Sequence, residues 1–494
     1  MSASTPNGAA DTIDRAVWVV GAVVVLGTIM SILDTTIINI ALETLSVELG
    51  SDLVDVQWVV TVYLLAMGAV IPVTGWAARK FGSKRLYVVS LVLFVGGSAL
   101  CGIASTLTEL VLARVLQGVG GGMLLPLGQM MLAEAAGPKR MGRVLSLIGV
   151  PAMLGPIFGP MLGGLLLDNA SWRWIFFINI PIGVVAVLAA LRFLPRNDPQ
   201  PTDRIDIPGF VLLTVGVPLL IYGLAEVGVT GTFGTAKVIG PIAGGVALLV
   251  IFTVHALRAK FPLLDMRLYA RATYSSASVT MFCVAGALFG GMVLLPLYYQ
   301  GVRDFSVLET GLLTAPQGLG AALIMPLAGK LTDRYGGGPL AVIGVVIVTA
   351  STVPFGLVGP DTSLVGLSLA MFVRGIGIGL AFMPAMTAAY ASLERNQLSH
   401  AAPQLNVLHR IGGSIGVAVL AVVLQQALIG QTTPEGAAGA YGTAFWWSTA
   451  ISGLAIVPCI VLAIAERRAR RTAPESPPEE PLEDADALPD GVAA

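Results

Sequence analysis

The chain alternates long apolar runs with short polar breaks. Fourteen runs approach or exceed the roughly 20 apolar residues that a bilayer-crossing helix needs. They are 17–42, 56–78, 86–105, 109–133, 143–167, 174–194, 208–227, 238–257, 273–300, 308–331, 339–358, 364–390, 402–429 and 443–465. The first run is too long and starts too late for a cleavable signal peptide, and only Arg15 precedes it as a basic residue. The pattern predicts an all-α polytopic membrane protein with fourteen spans. No connecting segment is long enough to hold a soluble domain.

The cations test that count independently. With fourteen spans and a cytoplasmic N-terminus, 22 of the 28 Lys and Arg fall in inner segments. Only Arg173, Lys237 and Arg303 fall outside, and Arg114, Arg374 and Arg410 fall within spans. This is the positive-inside bias of a membrane protein, and it predicts both termini in the cytoplasm of a cell-membrane protein. One helix more or fewer would invert every later loop and erase the bias.

Composition narrows the function classes. Hydrophobic residues make up 55% and charged residues 12% of the 494, with mean hydropathy +0.84. Soluble domains carry about 25% charged residues, so a soluble enzyme is excluded. A net charge of −1 gives no basic field for nucleic acid. Cys101, Cys283 and Cys459 all lie in apolar runs, which suits neither a disulfide framework nor a zinc site. No metal and no cofactor is expected. Without a GxxxxGK[ST] phosphate loop, ATP is not the expected energy source. Residues 1–16 form an N-terminal tail, and the Pro-rich, acidic stretch 467–494 has too little to bury and is expected to be disordered.

The chain also repeats itself. Gly75-Trp-Ala-Ala-Arg-Lys-Phe-Gly82 follows the second run, and Gly329-Lys-Leu-Thr-Asp-Arg-Tyr-Gly336 follows the tenth. Both are expected in short inner loops. A looser pair is Arg114…Gly118, Gly120…Pro126 and Arg374…Gly377, Gly379…Pro384. Two such halves are the architecture of a rocking transporter. The organisation expected is a six-helix bundle over 17–196, two inserted helices over 197–260, and a second six-helix bundle over 261–466.

These stretches carry a resemblance. With them stand Leu33-Asp-Thr-Thr-Ile-Ile-Asn-Ile-Ala-Leu42, Trp58…Tyr63 and Arg114-x-x-Gln117-Gly118-x-Gly120. Another stretch is Gly155-x-x-x-Gly159-Pro160-x-x-Gly163-Gly164, followed by Trp172-Arg-Trp-Ile-Phe-Phe-Ile-Asn179-Ile-Pro181. Together they resemble the major facilitator superfamily, and within it the fourteen-helix drug:proton antiporter family (the EmrB/QacA type). The chain departs from that pattern at Glu43, where the family usually has Pro, and at Ser146, where it has Gly. It departs again at Arg79, where the first loop motif commonly has Asp; Asp333 keeps the acid in the second copy. The resemblance implies the major-facilitator fold and proton-driven export.

Candidate chemistry centres on Asp34, the one carboxylate well inside a run. A charge near the bilayer centre costs roughly 2.5–3.5 kcal/mol on insertion scales, so such a residue faces a partner or a cavity. Asp34 lies about 12 Å and Arg114 about 8 Å from the outer ends of their runs, at 1.5 Å per residue. A neighbouring Arg favours the ionised acid and desolvation favours the neutral one. Asp34 and Arg114 are therefore the candidate proton-coupling pair; a static packing pair is the plainer reading. Gly155, Gly159, Gly163 and Gly164 form a small-residue stripe, and Pro156 and Pro160 can bend the helix, which suits a conformational switch. Gly75, Arg79, Gly82, Arg85, Asp333 and Arg334 of the repeated motif are candidate gating residues or simple helix caps. Asn39, Gln117, Met123, Phe282, Phe289, Arg374 and Asn406 are candidate substrate-cavity residues. Arg410 is expected at the cytoplasmic mouth and Arg374 against carbonyls of a wet cavity. His409 is expected to be a hydrogen-bonded packing residue.

Two functional readings follow. The first is a proton-motive-force-driven exporter of lipophilic compounds, cations included, working by alternating access. The second is a lipid or cell-envelope exporter on the same scaffold. The expected partners are the bilayer, small lipophilic substrates and protons, not nucleic acid, with a periplasmic adaptor left open.

Overall fold

A computed structural model describes residues 15–137, 140–195 and 204–472. The described residues are helical throughout, with short turns and no strands. The helices are α1 (Arg15–Leu49), α2 (Trp58–Phe81), α3 (Ser83–Ile103), α4 (Leu107–Ala136), α5 (Met141–Asn169), α6 (Trp174–Phe193) and α7 (Ile207–Thr230). They continue as α8 (Ala236–Arg258), α9 (Ala272–Gly301), α10 (Val307–Tyr335), α11 (Gly337–Leu357), α12 (Leu364–Ala391), α13 (Leu398–Leu428) and α14 (Pro434–Ala469). Thirteen of these runs are long and apolar enough to cross a membrane. The remaining one, α5, is 29 residues long and contains the apolar stretch Met141–Gly155. Leu188, Leu323 and Val365 are more than 60% exposed on outer faces. They belong to a long series of exposed large apolar side chains along the helices, an extent of apolar surface that suits lipid.

The sequence repeat is visible as repeated packing. In the first set α1 packs on α5, α4 and α6, α2 packs on α4, and α3 packs on α4 and α6. In the second set α9 packs on α13, α12 and α14, α10 on α12, and α11 on α12 and α14. Each pairing recurs eight helices later. The glycines repeat the same job: a side chain at Gly120 would run into the backbone of Ser90 and Phe94 on α3, and one at Gly377 into that of Gly344 on α11. Close backbone approach is what small residues supply where lipid removes the hydrophobic drive.

The two sets meet along two seams. One is α5 against α10; the other is α2 and α4 against α13. Helix α7 lies across the second seam, touching both α2 and α13, and α8 packs on α7. With an even number of crossings, the start of α1 and the end of α14 share a face, called here the terminal face. Glu466 of α14 accepts from the Gly337 and Gly338 amides at the start of α11 on that face, at 3.1 and 2.7 Å.

Three expectations change. The helices overrun the apolar runs: α1 continues seven residues past 42, through Glu43 and Glu48, and the last helical segment, Ile456–Thr472, carries α14 three residues past Ala469. Hydropathy marks the bilayer, whereas helix ends are set by capping and chain reversal. Residues 467–472, expected to be disordered, are thus helical, and 473–494 lie outside the described residues, as do 1–14. The repeated motif is also not a loop. Gly75–Phe81 completes α2, Gly82 alone turns the chain with φ +85°, and Ser83 opens α3. Gly336 does the same between α10 and α11 with φ +95°. Only glycine adopts that conformation without strain.

Candidate functional site

Asp34 lies mid-way along α1. The neighbouring Thr35 and Thr36 hydroxyls return to carbonyls of their own helix, at 2.8 Å to Ser31 and 3.0 Å to Leu33. Asp34 instead reaches across to α4. Its Oδ2 accepts from Arg114 Nη1 at 2.6 Å and its Oδ1 from Gln117 Nε2 at 2.8 Å. Arg114 and Gln117 are three residues apart, so one helical face presents both. A longer bond of 3.5 Å comes from Asn179 Nδ2 of α6, which also donates to Ser98 Oγ of α3 at 3.1 Å. Arg114 further donates through Nε to the Val59 carbonyl of α2 at 3.0 Å and through Nη1 to Gln117 Oε1 at 2.8 Å. Its guanidinium lies 4.0 Å from the Tyr63 ring centroid. The Asp34 and Arg114 side chains are fully buried.

Five helices therefore close a cage around one carboxylate. Each bonding neighbour of Asp34 is a donor, which fits an ionised, acceptor-only acid. A proton on Asp34 would remove the charge that compensates Arg114. Leaving one partner of a buried pair without its counter-charge costs about 3–5 kcal/mol.

The second set has the cation without the acid. Arg374 is 1% exposed and donates to Gln317 Oε1 at 2.8 Å and the Ala287 carbonyl at 2.9 Å. Gly291 of α9 lies directly against its guanidinium, where a side chain would overlap. The expected carbonyl contact is present, but protein encloses Arg374 where a wet cavity was expected. Arg410 is not at the mouth. Helix α13 starts at Leu398, which puts Arg410 about 18 Å in at 1.5 Å per residue. Its Nη2 approaches Met67 Sδ of α2 at 3.7 Å. His409 packs between Phe289 and Phe382, at 5.4 and 4.8 Å between centroids, and its Nδ1 has no partner. It is a packing residue, but that nitrogen is not hydrogen-bonded as expected.

A model of the Major Facilitator Superfamily matches residues 24–417. The chain belongs to the major facilitator superfamily. It is 37% identical over 417 residues to the multidrug resistance protein B homolog of Mycobacterium tuberculosis (strain ATCC 25618 / H37Rv), covering 84% of this chain and 77% of that protein. It is 32% identical over 411 residues to the putative multidrug resistance protein MdtD of Escherichia coli O45:K1, covering 81% and 85%. The human organic anion transporter MFSD10 superposes with TM-score 0.64 at 17% identity, over 91% of this chain and 100% of that one. The proton:xylose symporter XylE superposes with TM-score 0.59 at 16% identity, over 90% and 95%. The last two show the fold alone.

In this facilitator chain the described hydrogen bonds joining the two sets lie at or below mid-depth, towards the terminal face. Asp333 of α10 caps the start of α5: it accepts from the Gly142 amide at 2.8 Å, the Arg143 amide at 3.3 Å and Arg143 Nε at 2.9 Å. An acid at a helix N-terminus satisfies orphan amides and complements the dipole. The related position, Arg79 of α2, reaches the start of α13 and donates to Ser399 Oγ at 2.5 Å. The repeat therefore keeps the position and inverts the charge. Deeper in, Gln129 Oε1 of α4 accepts from Asn406 Nδ2 of α13 at 2.6 Å and from the Tyr390 hydroxyl of α12 at 3.2 Å.

Other sequence candidates fall in separate places. Gly75 abuts the Ser399 carbonyl, where a side chain would overlap. Gly155, Gly159 and Gly163 face Ile32, Thr36 and Ile37 of α1, within their own set and not across the seam, and Gly164 has open space. The side chains of Pro156 and Pro160 lie outside the described residues. Arg85 and Arg334 are exposed, and Arg334 lies beside the Tyr335 ring. Lys84 plays the plainer capping role, donating to the Leu191 and Leu194 carbonyls at the end of α6. Met123 is core, Phe282 packs against the cluster around α7 and α13, Phe289 sits by His409, and Asn39 is exposed and bonds Thr35. They do not converge on one pocket in this state. Asn179, Ser98 and Gln129 were missed. Each is a lone polar residue in an apolar run, the same signal that exposed Asp34. Among the described residues no group of three His, Cys, Asp or Glu could hold a metal.

Proposed function

We propose that this chain is a proton-driven multidrug exporter. The Asp34–Arg114 cage carries the reading: a carboxylate and a guanidinium paired at 2.6 Å, fully buried inside a bundle of apolar helices. The terminal face is cytoplasmic, because the Lys and Arg of the connecting segments concentrate there. The closed contacts at Asp333 and Gln129 then belong to the state with the cytoplasmic side sealed. Proton binding at Asp34 from outside loosens Arg114 and favours the opposite state. Release inward restores the pair and returns the carrier with its substrate. The relatives named for multidrug resistance support lipophilic compounds as the substrate class. Among the described residues no acid is recorded against Arg374, and Asp34 is a fully buried acid that could attract cationic members of that class. The cycle needs no bound cofactor beyond the proton, and the protein acts as a carrier and not an enzyme.

The test is reconstitution. Proteoliposomes with an imposed pH gradient should move a lipophilic cationic dye, and an uncoupler should abolish the movement. Gradient-independent flip of a labelled phospholipid, with no dye transport, would replace this reading with the lipid-exporter one.

A further inference from the structure

Of the three Arg within the apolar runs, two are answered by oxygen acceptors. Arg114 has Asp34, Gln117 and the Val59 carbonyl, and Arg374 has Gln317 and the Ala287 carbonyl. Arg410 has neither an acid nor an oxygen: among the described residues its polar contact is the Met67 thioether at 3.7 Å. Thioether sulfur is a weak acceptor, and a cation deep in a span is costly unless something compensates it. Asn406, one turn earlier on α13, closes on Gln129 of α4. Residues four apart share a helix face, so Arg410 also faces the first set, about 6 Å further from the terminal face. Met67 in turn stands one turn along α2 from Tyr63, whose ring packs on Arg114. Arg410 therefore lies between the Asp34 cage and the closed Gln129–Asn406 contact. It is half-buried, while Met67 beside it is buried and α7 covers this seam towards lipid. Its open side thus borders the space between the two sets. The wall next to it is aromatic. Phe289 of α9 lies directly against Gly413, about 4.5 Å further along α13 than Arg410, and is itself 36% exposed.

We propose that Arg410 seats the anionic group of a lipophilic organic acid, whose apolar aromatic body lies against Phe289 and Met67. The guanidinium fork takes a carboxylate or sulfonate in two parallel charge-assisted bonds. The ligand brings the counter-charge that no described side chain provides. Asp34 does not supply it, because Arg114 and Gln117 hold both of its oxygens. A chloride ion would balance the charge but leave the ring and the thioether without a partner. A lipophilic cation would meet like charge. The cargo of the carrier then includes lipophilic acids, recognised at a different residue from lipophilic cations. As a transport site this rests on the export reading; as a binding site it does not.

Binding to the full-length protein in phosphatidylcholine nanodiscs tests it, with 1-naphthylacetate and its uncharged amide as probes of equal shape. Equilibrium dialysis, corrected for empty nanodiscs, should show wild type holding the acid roughly tenfold more tightly than the amide, the gain of a charge-assisted over a neutral hydrogen bond. Arg410→Gln should abolish that preference and leave amide affinity unchanged. Arg410→Lys should keep part of it, and Phe289→Ala should weaken both probes alike. Each variant should keep wild-type helical content and elution volume. In wild type, a diazirine derivative of the acid should label residues 63–67 of α2 or 406–413 of α13, which decides the matter even where a variant does not fold. Equal affinity of wild type for both probes, a preference that survives Arg410→Gln, or labelling confined to other helices overturns the proposal. So does complete displacement of the acid by chloride at equal concentration, because the seat would then take a small anion alone. Gradient-driven movement of a cationic dye with no binding of the acid also overturns it and leaves the export reading intact. Binding of the acid as expected, with no dye movement, removes the export reading and leaves the anion seat standing.

Discussion

Replacing Asp34 by Asn probes the coupling centre with the smallest change in shape. The amide can still offer Oδ1 to Arg114, but its NH₂ then faces Gln117 Nε2, itself a donor 2.8 Å away. Flipping Gln117 does not repair this, since its Oε1 accepts from Arg114 Nη1 at 2.8 Å. One donor–donor conflict remains, and Arg114, fully buried, loses its counter-charge. Removing one partner of a buried pair costs about 3–5 kcal/mol, and the retained Oδ1 places Asn near the lower end. That is roughly a hundredfold shift in whatever equilibrium the pair controls, at 1.4 kcal/mol per tenfold. The assay is dye efflux from everted vesicles energised by a pH gradient, beside a denaturant midpoint on purified protein. Gradient-driven efflux should vanish while insertion stays normal and the midpoint falls. A companion variant, Asp34→Leu with Arg114→Met, separates the two effects. Apolar replacement of both charges should recover the midpoint and leave transport dead. Efflux at wild-type rate in Asp34→Asn would refute the proposed role of the cage.

Further predictions concern the seams. Gly75→Ala drives a methyl group into the Ser399 carbonyl, so the α2–α13 seam must part; a cysteine placed nearby should then label faster from the terminal face. Gln129→Leu leaves the Tyr390 hydroxyl without its described acceptor, at about 1–3 kcal/mol for a buried donor, and leaves Asn406 only its bond to the Ala402 carbonyl; it should shift distance distributions between spin labels on α4 and α13 towards opening. Asp333→Asn keeps shape but removes the charge at the start of α5; transport should slow, and rescue by a swapped Arg143→Asp, Asp333→Arg pair should be poor because the dipole then opposes the new Arg. Arg79→Asp, by contrast, gives α13 the acid that α5 already has, and should hold the terminal face closed and lower turnover.

The apolar runs were enough to read a polytopic helical protein, because lipid forces each span to satisfy its own backbone, and the repeated motifs pointed to the repeated packing. Asp34 and Arg114 were legible for the same reason: a charge in hydrocarbon must have a partner, and few candidates exist. What the sequence could not decide was set by packing between segments far apart in the chain. Asn179 joins Asp34 across 145 residues, and Gln129 meets Asn406 across 277. No local pattern encodes such pairings. Arg410 shows the same limit: its apolar run already contained it, but only the contact with Met67 of α2 shows where along the seam it sits. The glycine stripe of α5 was visible as a stripe, yet only the tertiary structure turned it towards α1 and left the seam itself to Asp333 and Arg143. Local chemistry fixes what each helix must bury, and the three-dimensional arrangement decides against whom.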